Sequence, residues 1–130
     1  MSLEKNKTTI RKAIDALNKR DLASLDQFIE PNYVDHTNQI QGIGNLKQFY
    51  TRAFEDFPDF HRTIEDIIAE GDEVWARSII TGTTSTGKKM ELTSINIFRI
   101  VNGKIVETWG GAIQKMVVPT TAGELAKQLL

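Results

Sequence analysis

The sequence predicts an α+β domain in which a curved antiparallel sheet wraps around three N-terminal helices, as in a cone-shaped, cystatin-like roll. Apolar residues recur at helical spacing as far as Pro58 and alternate with polar residues from Phe60 onward. Strong turn signals separate the alternating segments, as expected for antiparallel strands joined by short connections. The chain has 130 residues, and we expect residues 1–130 to form a single domain.

The three helices are predicted from apolar spacing and from residues that end helices. The first helix has four apolar residues on one face, namely Ile10, Ala13, Ile14 and Leu17. Asp21 has the position of an N-cap for a short second helix, which Pro31 ends because proline lacks an N–H donor. The third helix ends at Pro58 and carries an aromatic-rich stripe formed by Leu46, Phe49, Tyr50, Ala53, Phe54 and Phe57.

Four strands are predicted beyond Pro58. The first two, "FHRTIEDIIAE" and "EVWARSIITGT", are joined by a turn at residues 70–73. The third, "MELTSINIFRI", follows a hairpin connection at residues 85–89, and an Asn-Gly turn at 101–103 leads to the long fourth strand "KIVETWGGAIQKMVV". Capping-box spacing at residues 121–124 predicts a short terminal helix.

Alternation along the last two strands predicts which side chains face the interior of the cone. The inward set of the third strand is predicted to be Met90, Leu92, Ser94, Asn96 and Phe98. The inward set of the fourth strand is predicted to be Val106, Thr108, Gly110, Ala112 and Gln114. The outward faces would then carry an apolar patch of Ile95, Ile97, Trp109 and Ile113. Because soluble monomers seldom expose large apolar patches, we expect a homodimer formed through the sheet face.

Composition excludes several classes of protein. Lys and Arg number 16 against 17 Asp and Glu, so the chain lacks the basic excess of a nucleic-acid-binding protein. The absence of cysteine excludes disulfides, thiolate zinc sites and a cysteine nucleophile. No signal-peptide core or membrane-length apolar run is present, so we expect a soluble, cytoplasmic protein without a membrane partner. No metal-ligand spacing joins His36 to His61, so we expect neither a metal nor another cofactor.

Three segments resemble the SnoaL-like domain of polyketide and ester cyclases, which belongs to the nuclear transport factor 2-like superfamily. They are "YVDH" at residues 33–36 and the segments at 57–83 and 86–109. The similarity runs from about residue 8 to residue 116, and "GKIVETW" after the strand that ends in "FRIVNG" is its most specific part. The resemblance implies a cone of curved sheet closed by three helices, with a deep apolar pocket and frequent homodimers.

The chain departs from this family where the resemblance implies catalytic groups. The family's cyclases use an inward Asp, the third residue of a His-Trp-Asp strand, as general acid and base for an intramolecular aldol closure. Here those places hold Thr108, Trp109 and Gly110, and the family's second acid/base position falls at Asn96. Glycine and an amide exchange no proton near neutral pH, so an enzyme of this sequence needs a different base.

His36 is the candidate for that base, because imidazole changes its charge near neutrality. The alternative is that His36 only caps or packs a loop at the mouth of the pocket. His61, at the start of a strand, is expected to be exposed. Asn96 could donate to a ligand carbonyl, or it could be a satisfied buried amide bonded to Thr108 or to water.

Trp75 and Arg77 share one face of the second strand, and alternation alone allows this face to point inward or outward. Facing inward, Trp75 would form a flat apolar wall and Arg77 could neutralise a carboxylate; facing outward, both would belong to the dimer surface. We expect Arg77 to face outward, because an unpaired buried guanidinium is costly.

Two functions are therefore expected. The first is a cofactor-independent cyclase or isomerase acting on a small apolar carbonyl or ester compound, with His36 as the base and Asn96 as an oxyanion donor. The second is a non-catalytic homodimer that binds a small hydrophobic ligand, whereas no peptide-binding motif supports protein interaction through the sheet. The residues expected to contact the small apolar molecule are Asn96, Thr108, Tyr33, Tyr50, Phe54 and Trp75.

Overall fold

A computed structural model of the chain describes residues 2–113, so the predicted terminal helix and the end of the long last strand lie outside the described residues. The first half contains helix α1 (Leu3–Asn18), a 3-10 helix (Leu22–Gln27), strands β1 (Ile29–Asp35) and β2 (Ile40–Gln41), and helix α2 (Ile43–Asp56). The second half contains strands β3 (His61–Glu70), β4 (Glu73–Thr83), β5 (Lys89–Val101) and β6 (Lys104–Ile113). No helix among residues 2–113 is long and apolar enough to cross a membrane.

The six strands form one curved, unclosed sheet in the order β2-β1-β6-β5-β4-β3. All neighbouring strands are antiparallel except β1 and β6, which run parallel. Helix α1 contacts β3 and β4, and helix α2 contacts β1 and β2. The predicted α+β class, with a curved sheet around N-terminal helices, is therefore confirmed.

The hairpin between β5 and β6 follows directly from its Asn-Gly dipeptide. Asn102 has φ of 51° and Gly103 has φ of 78°, and the flanking residues Val101 and Lys104 face each other in the ladder. A two-residue connection with positive φ at both positions matches the right-handed twist of the paired strands. This turn fixes the register in which β6 meets β5.

The second predicted helix differs most from the structure. Asp21 does cap it, accepting a hydrogen bond from the backbone of Ser24, but it is a 3-10 helix that ends at Gln27. The chain then enters β1, and Pro31 lies inside that strand rather than ending a helix. Pro31 is tolerated because the β1–β6 register shifts between Ile29 and Val34, so proline faces no partner in that ladder.

A β-bulge reverses the predicted faces at the start of β6. The β5–β6 register shifts between Arg99 and Ile100, and Val106 is the residue without a partner. Ile105, predicted to face outward, is therefore buried in the core beside Ile100. Beyond the bulge the predicted phase returns, because Thr108 is buried on the inner face as expected.

The side chain of Asn18, the last residue of α1, completes the hydrogen bonding of β3. Its Nδ2 donates to the backbone oxygen of Arg62 at 2.8 Å, and its Oδ1 accepts from the backbone N–H of Arg62 at 2.9 Å. Strand β3 is an edge strand of the sheet, so these backbone groups have no strand partner on that side. One amide therefore fixes the backbone of Arg62 against the end of the helix.

We predict that Asn18→Ala lowers the free energy of unfolding by about 1–3 kcal/mol, because two backbone groups of Arg62 lose their partner. Urea unfolding followed by circular dichroism measures the change. Asn45→Ala is the control, since the amide of Asn45 donates only to Gln41 on the exposed start of α2, and we expect a loss below about 0.5 kcal/mol. Equal losses in the two variants would show that the Asn18 contacts do not hold β3.

Candidate functional site

A cavity of about 280 Å³ lies between helix α2 and the inner face of the sheet. Its walls are mainly apolar, with Leu46, Phe49 and Tyr50 on the helix side and Leu92 and Phe98 on the sheet side. The polar side chains at its wall include Tyr33, Asp35, Asn38, Arg62, Ser94, Asn96 and Thr108. An apolar cavity with a few convergent polar groups is the usual form of a small-molecule site.

Arg62 is a candidate site residue that the sequence analysis did not identify. Its side chain enters the cavity from β3 and is only 7% exposed. Its Nη2 donates to Oδ1 of Asn96 and, at 3.4 Å, to Oγ of Ser94. Within residues 2–113, its Nε has no hydrogen-bond acceptor and no carboxylate forms an ion pair with its guanidinium. The cavity therefore contains a buried positive charge whose direct hydrogen-bond partners in the described part of the chain are neutral oxygens.

Asn96 is held in one orientation by its neighbours. The hydroxyl of Ser94 donates to Asn96 Oδ1 at 2.6 Å, and Arg62 donates to the same oxygen. Because a guanidinium can only donate, the amide oxygen of Asn96 must face Arg62 and its amide nitrogen must point the other way. Among residues 2–113 the alternative bond between Asn96 and Thr108 is not formed, and the NH₂ group of Asn96 points away from Arg62, where it can donate to a ligand.

Two hydroxyl groups add to the donors of the cavity. Burial raises the pKa of Tyr33 above its usual value, so its hydroxyl stays protonated, and able to donate, throughout the neutral range. The Oγ1 of Thr108 is buried and makes no hydrogen bond to any residue of the described chain. A buried polar group without a partner is rare in native proteins, and Thr108 lines the same cavity as Tyr33 and Asn96.

Asp35 is the one carboxylate on the cavity wall among the described residues. It is buried at the end of β1, where it faces Thr108 of β6 in the ladder. Its Oδ1 accepts from the backbone N–H groups of Thr37 and Asn38 at 3.1 and 3.0 Å, and its Oδ2 accepts from the side chain of Asn38 at 3.0 Å. An ionised carboxylate has about four acceptor positions, so Oδ2 retains capacity for a ligand.

His36 lies outside the cavity, which corrects the expectation that it acts there as a base. His36 follows directly after β1, its backbone N–H donates to the backbone oxygen of Thr108 at 2.9 Å, and its side chain faces outward whereas that of Asp35 faces inward. Its ring stacks on Trp109 with 4.8 Å between ring centroids, and its Nε2 lies 3.6 Å from Oε1 of Glu107. The side chain is 41% exposed on this outer face.

Two further predicted contacts also differ from the structure. Trp75 is 44% exposed on the outer face and does not line the cavity, which corrects its assignment as a substrate contact. Arg77, as expected, faces outward beside it and binds Asp66 through Nε at 2.8 Å and Nη2 at 2.6 Å. Tyr50 lines the cavity, whereas Phe54 does not and packs next to Tyr50 with a ring centroid distance of 6.0 Å.

Comparison with known proteins identifies the family. The family described as SnoaL-like polyketide cyclase matches residues 7–116 of the chain. The chain belongs to the SnoaL-like polyketide cyclase family. This confirms the resemblance inferred from the sequence, and the structural neighbours place the fold in the nuclear transport factor 2-like superfamily.

Several individual proteins are similar to this SnoaL-like chain. The probable cyclase otaY of Aspergillus niger is 27% identical over 104 residues, which are 78% of this chain and 84% of that protein. The crystal structure of wild-type IdmH from Streptomyces antibioticus, a provisionally assigned polyketide cyclase, is 28% identical with a TM-score of 0.74, covering 82% of this chain and 91% of IdmH. A provisionally assigned polyketide cyclase from Bacillus cereus is also 28% identical, with a TM-score of 0.75 and coverage of 82% and 72%.

The backbone of this SnoaL-like chain excludes an acid at Gly110, where the resemblance implies one. Gly110 has φ of +102°, and a Cβ atom built on it would lie 2.1 Å from the backbone oxygen of Ile95. Its N–H donates to Oγ1 of Thr37 at 2.8 Å, which holds this conformation. Any side chain here would therefore require the two strands to move apart.

Within residues 2–113, no group of three acidic or histidine side chains comes together as a metal site.

We predict that Gly110→Ala lowers the free energy of unfolding by about 2 kcal/mol or more, because alanine adds both the backbone strain of positive φ and the clash with Ile95. Gly111→Ala is the matched control: a Cβ atom there meets nothing within 4 Å, and its effect should stay within about 0.5 kcal/mol. Thermal or urea unfolding of both variants measures the difference. Similar stability of the two variants would contradict the conformation described for Gly110.

Proposed function

We propose that this chain is a cofactor-independent enzyme of the cyclase or isomerase type, in which Asp35 transfers the proton and the substrate is a small, largely apolar carbonyl compound. The supporting observation is that one apolar cavity contains, among the described residues, a single carboxylate together with several hydrogen-bond donors. A carboxylate is a suitable base for a carbon acid when donors stabilise the enolate that forms.

The proposed reaction begins at the carbon next to a substrate carbonyl. Asp35 removes a proton from this carbon, and the negative charge moves to the carbonyl oxygen, where the NH₂ group of Asn96 and the hydroxyl of Tyr33 can donate to it. The enolate carbon then attacks a second carbonyl of the same molecule, forming the carbon–carbon bond of the ring. The resulting alkoxide recovers the proton from Asp35, so the enzyme returns to its initial state.

The positive charge of Arg62 supports the enolate in this scheme. It contacts Asn96 directly, so it polarises the amide whose NH₂ group faces the substrate. Because the surrounding walls are mainly apolar, charges in the cavity are screened less than in water. Preorganised donors in such an environment are usually the largest contribution to stabilising a developing oxyanion.

A non-catalytic homodimer that binds a small hydrophobic ligand is the second candidate. The observation that favours it is the local hydrogen bonding of Asp35, whose carboxylate already accepts three bonds from Thr37 and Asn38. These bonds suit a carboxylate that serves only to close the turn after β1. Under this reading the donors hold a ligand oxygen and no proton is transferred.

In either function we propose that two copies of the chain associate through the outer face of the sheet. This face exposes four large apolar side chains, namely Ile68, Trp75, Ile95 and Ile113. Large apolar side chains gathered on one exposed face favour association, and an identical sheet face is a complementary partner for them.

We predict that the protein accelerates exchange of the α-protons of a small aryl diketone with D₂O, and that Asp35→Asn reduces this acceleration about 100-fold or more. Asparagine retains an oxygen that can accept the backbone bonds of the turn, but it cannot take a proton. Proton NMR of 1-phenylbutane-1,3-dione measures the rate above the uncatalysed background.

His36→Ala is the control, because His36 lies on the outer face. Exchange that persists in Asp35→Asn and disappears in His36→Ala would refute the assignment of the base. Binding of the diketone without accelerated exchange by the native protein would favour the second candidate function.

We predict that light scattering after gel filtration gives twice the chain mass of 14.6 kDa, and that Trp75→Glu shifts the protein to the monomer. A carboxylate at the centre of an apolar contact would be buried without a partner. Leu3→Glu is the control, because Leu3 is an equally exposed apolar residue on α1, away from the sheet face. A native protein that is monomeric at all concentrations would refute this interface.

A further inference from the structure

We propose that Arg62 is a binding site for a carboxylate, so that the substrate or ligand of this cavity is a small monocarboxylic acid with an apolar body. The inference deepens the proposed function and rests on it, because it concerns the same cavity. It assigns to Arg62 a contact with the ligand that the proton transfer by Asp35 does not require.

Arg62 differs from the two other arginines of the described sheet. Arg77 binds Asp66, and Arg99 lies within 3.1–3.5 Å of three carboxylates, those of Asp72, Glu73 and Glu107. Both side chains are partly exposed, where pairing contributes little. Arg62 is the most deeply buried of the three, and among residues 2–113 it is the one without a carboxylate.

Within the described residues, the hydrogen bonding of the Arg62 guanidinium is incomplete. Asn96 and Ser94 accept only from Nη2, and neither carries a charge that could balance the guanidinium. The Nε atom is buried and has no partner within the described chain. Among the described residues no carboxylate pairs directly with this guanidinium, and a buried charge without a direct partner is costly, so Arg62 is suited to a counter-ion that arrives with the ligand.

The geometry of the Arg62 side chain fits a carboxylate. A guanidinium has five N–H donors in a planar fork, which matches the two oxygens of a carboxylate. Asp35 lines the same cavity, so the cavity offers one positive side chain, Arg62, to one ligand carboxylate. A second anionic group on the ligand would face the negative charge of Asp35. The remaining wall, which includes Phe49, Tyr50 and Phe60, suits an apolar or aromatic body.

The test compares 3-phenylpropanoate with 3-phenylpropanamide, which share one skeleton and differ in charge. Titration calorimetry at pH 7 should show the carboxylate binding about tenfold or more tightly than the amide to the native protein. Arg62→Met should reduce this preference to within about twofold. Arg77→Met makes the same chemical change on the outer face and should retain the full preference.

A second measurement does not depend on the folding of Arg62→Met. In ¹⁵N NMR spectra, the Nε–H resonance of Arg62, assigned through Arg62→Lys, should move on addition of the carboxylate and stay in place with the amide. The proposal is overturned if the carboxylate binds no better than its amide, including the case in which neither binds. It is also overturned if Arg62→Met retains the preference for the carboxylate.

These outcomes are separate from those of the proposed function. If the protein prefers the carboxylate but does not accelerate proton exchange, the carboxylate site is supported and the proposed enzymatic function is refuted. If the protein accelerates exchange through Asp35 but does not prefer the carboxylate over the amide, the enzymatic function is supported and the carboxylate site is refuted.

Discussion

The structure depends on placing one arginine inside an apolar cone. Both parts of Arg62 are held by amides: Asn18 fixes its backbone at the edge of the sheet, and Asn96 accepts from its guanidinium inside the cavity. Helix α1, strand β3 and strand β5 are thereby connected through a single residue. Burying a guanidinium is costly, so the apolar packing around α1 and β5 must offset that cost. The buried guanidinium makes this part of the cavity polar.

A second constraint decides where an acid can be. The backbone at Gly110 passes so close to Ile95 that β6 has no room for a side chain at this point, whereas the end of β1 brings Asp35 to the same cavity. The parallel pairing of β1 with β6 sets Asp35 opposite Thr108, two residues before Gly110. A carboxylate supplied from β1 can therefore occupy the region that β6 leaves without one, and this links the strand order to the chemistry we propose.

Much of the fold follows from local patterns, and the errors come from contacts between distant residues. The spacing of α1, the alternation of β5 and the Asn-Gly turn are local, and each is found as predicted. The pairing of β1 with β6 joins segments about 75 residues apart, so Pro31 gives no sign of it. The bulge that buries Ile105 likewise depends on how β6 meets β5, which alternation within one strand cannot reveal.

The site was predictable in part, and Arg62 shows what the sequence could have revealed. It lies midway between Phe60 and Ile64, two residues that alternation assigns to the inner face, so the same rule places Arg62 beside them. Asp35 and His36 also lie on opposite faces: Asp35, the last residue of β1, lines the cavity, and His36, the next residue, lies on the outer face. The two faces of the sheet can therefore change separately, with the proposed ligand chemistry on one side and the proposed association of copies on the other.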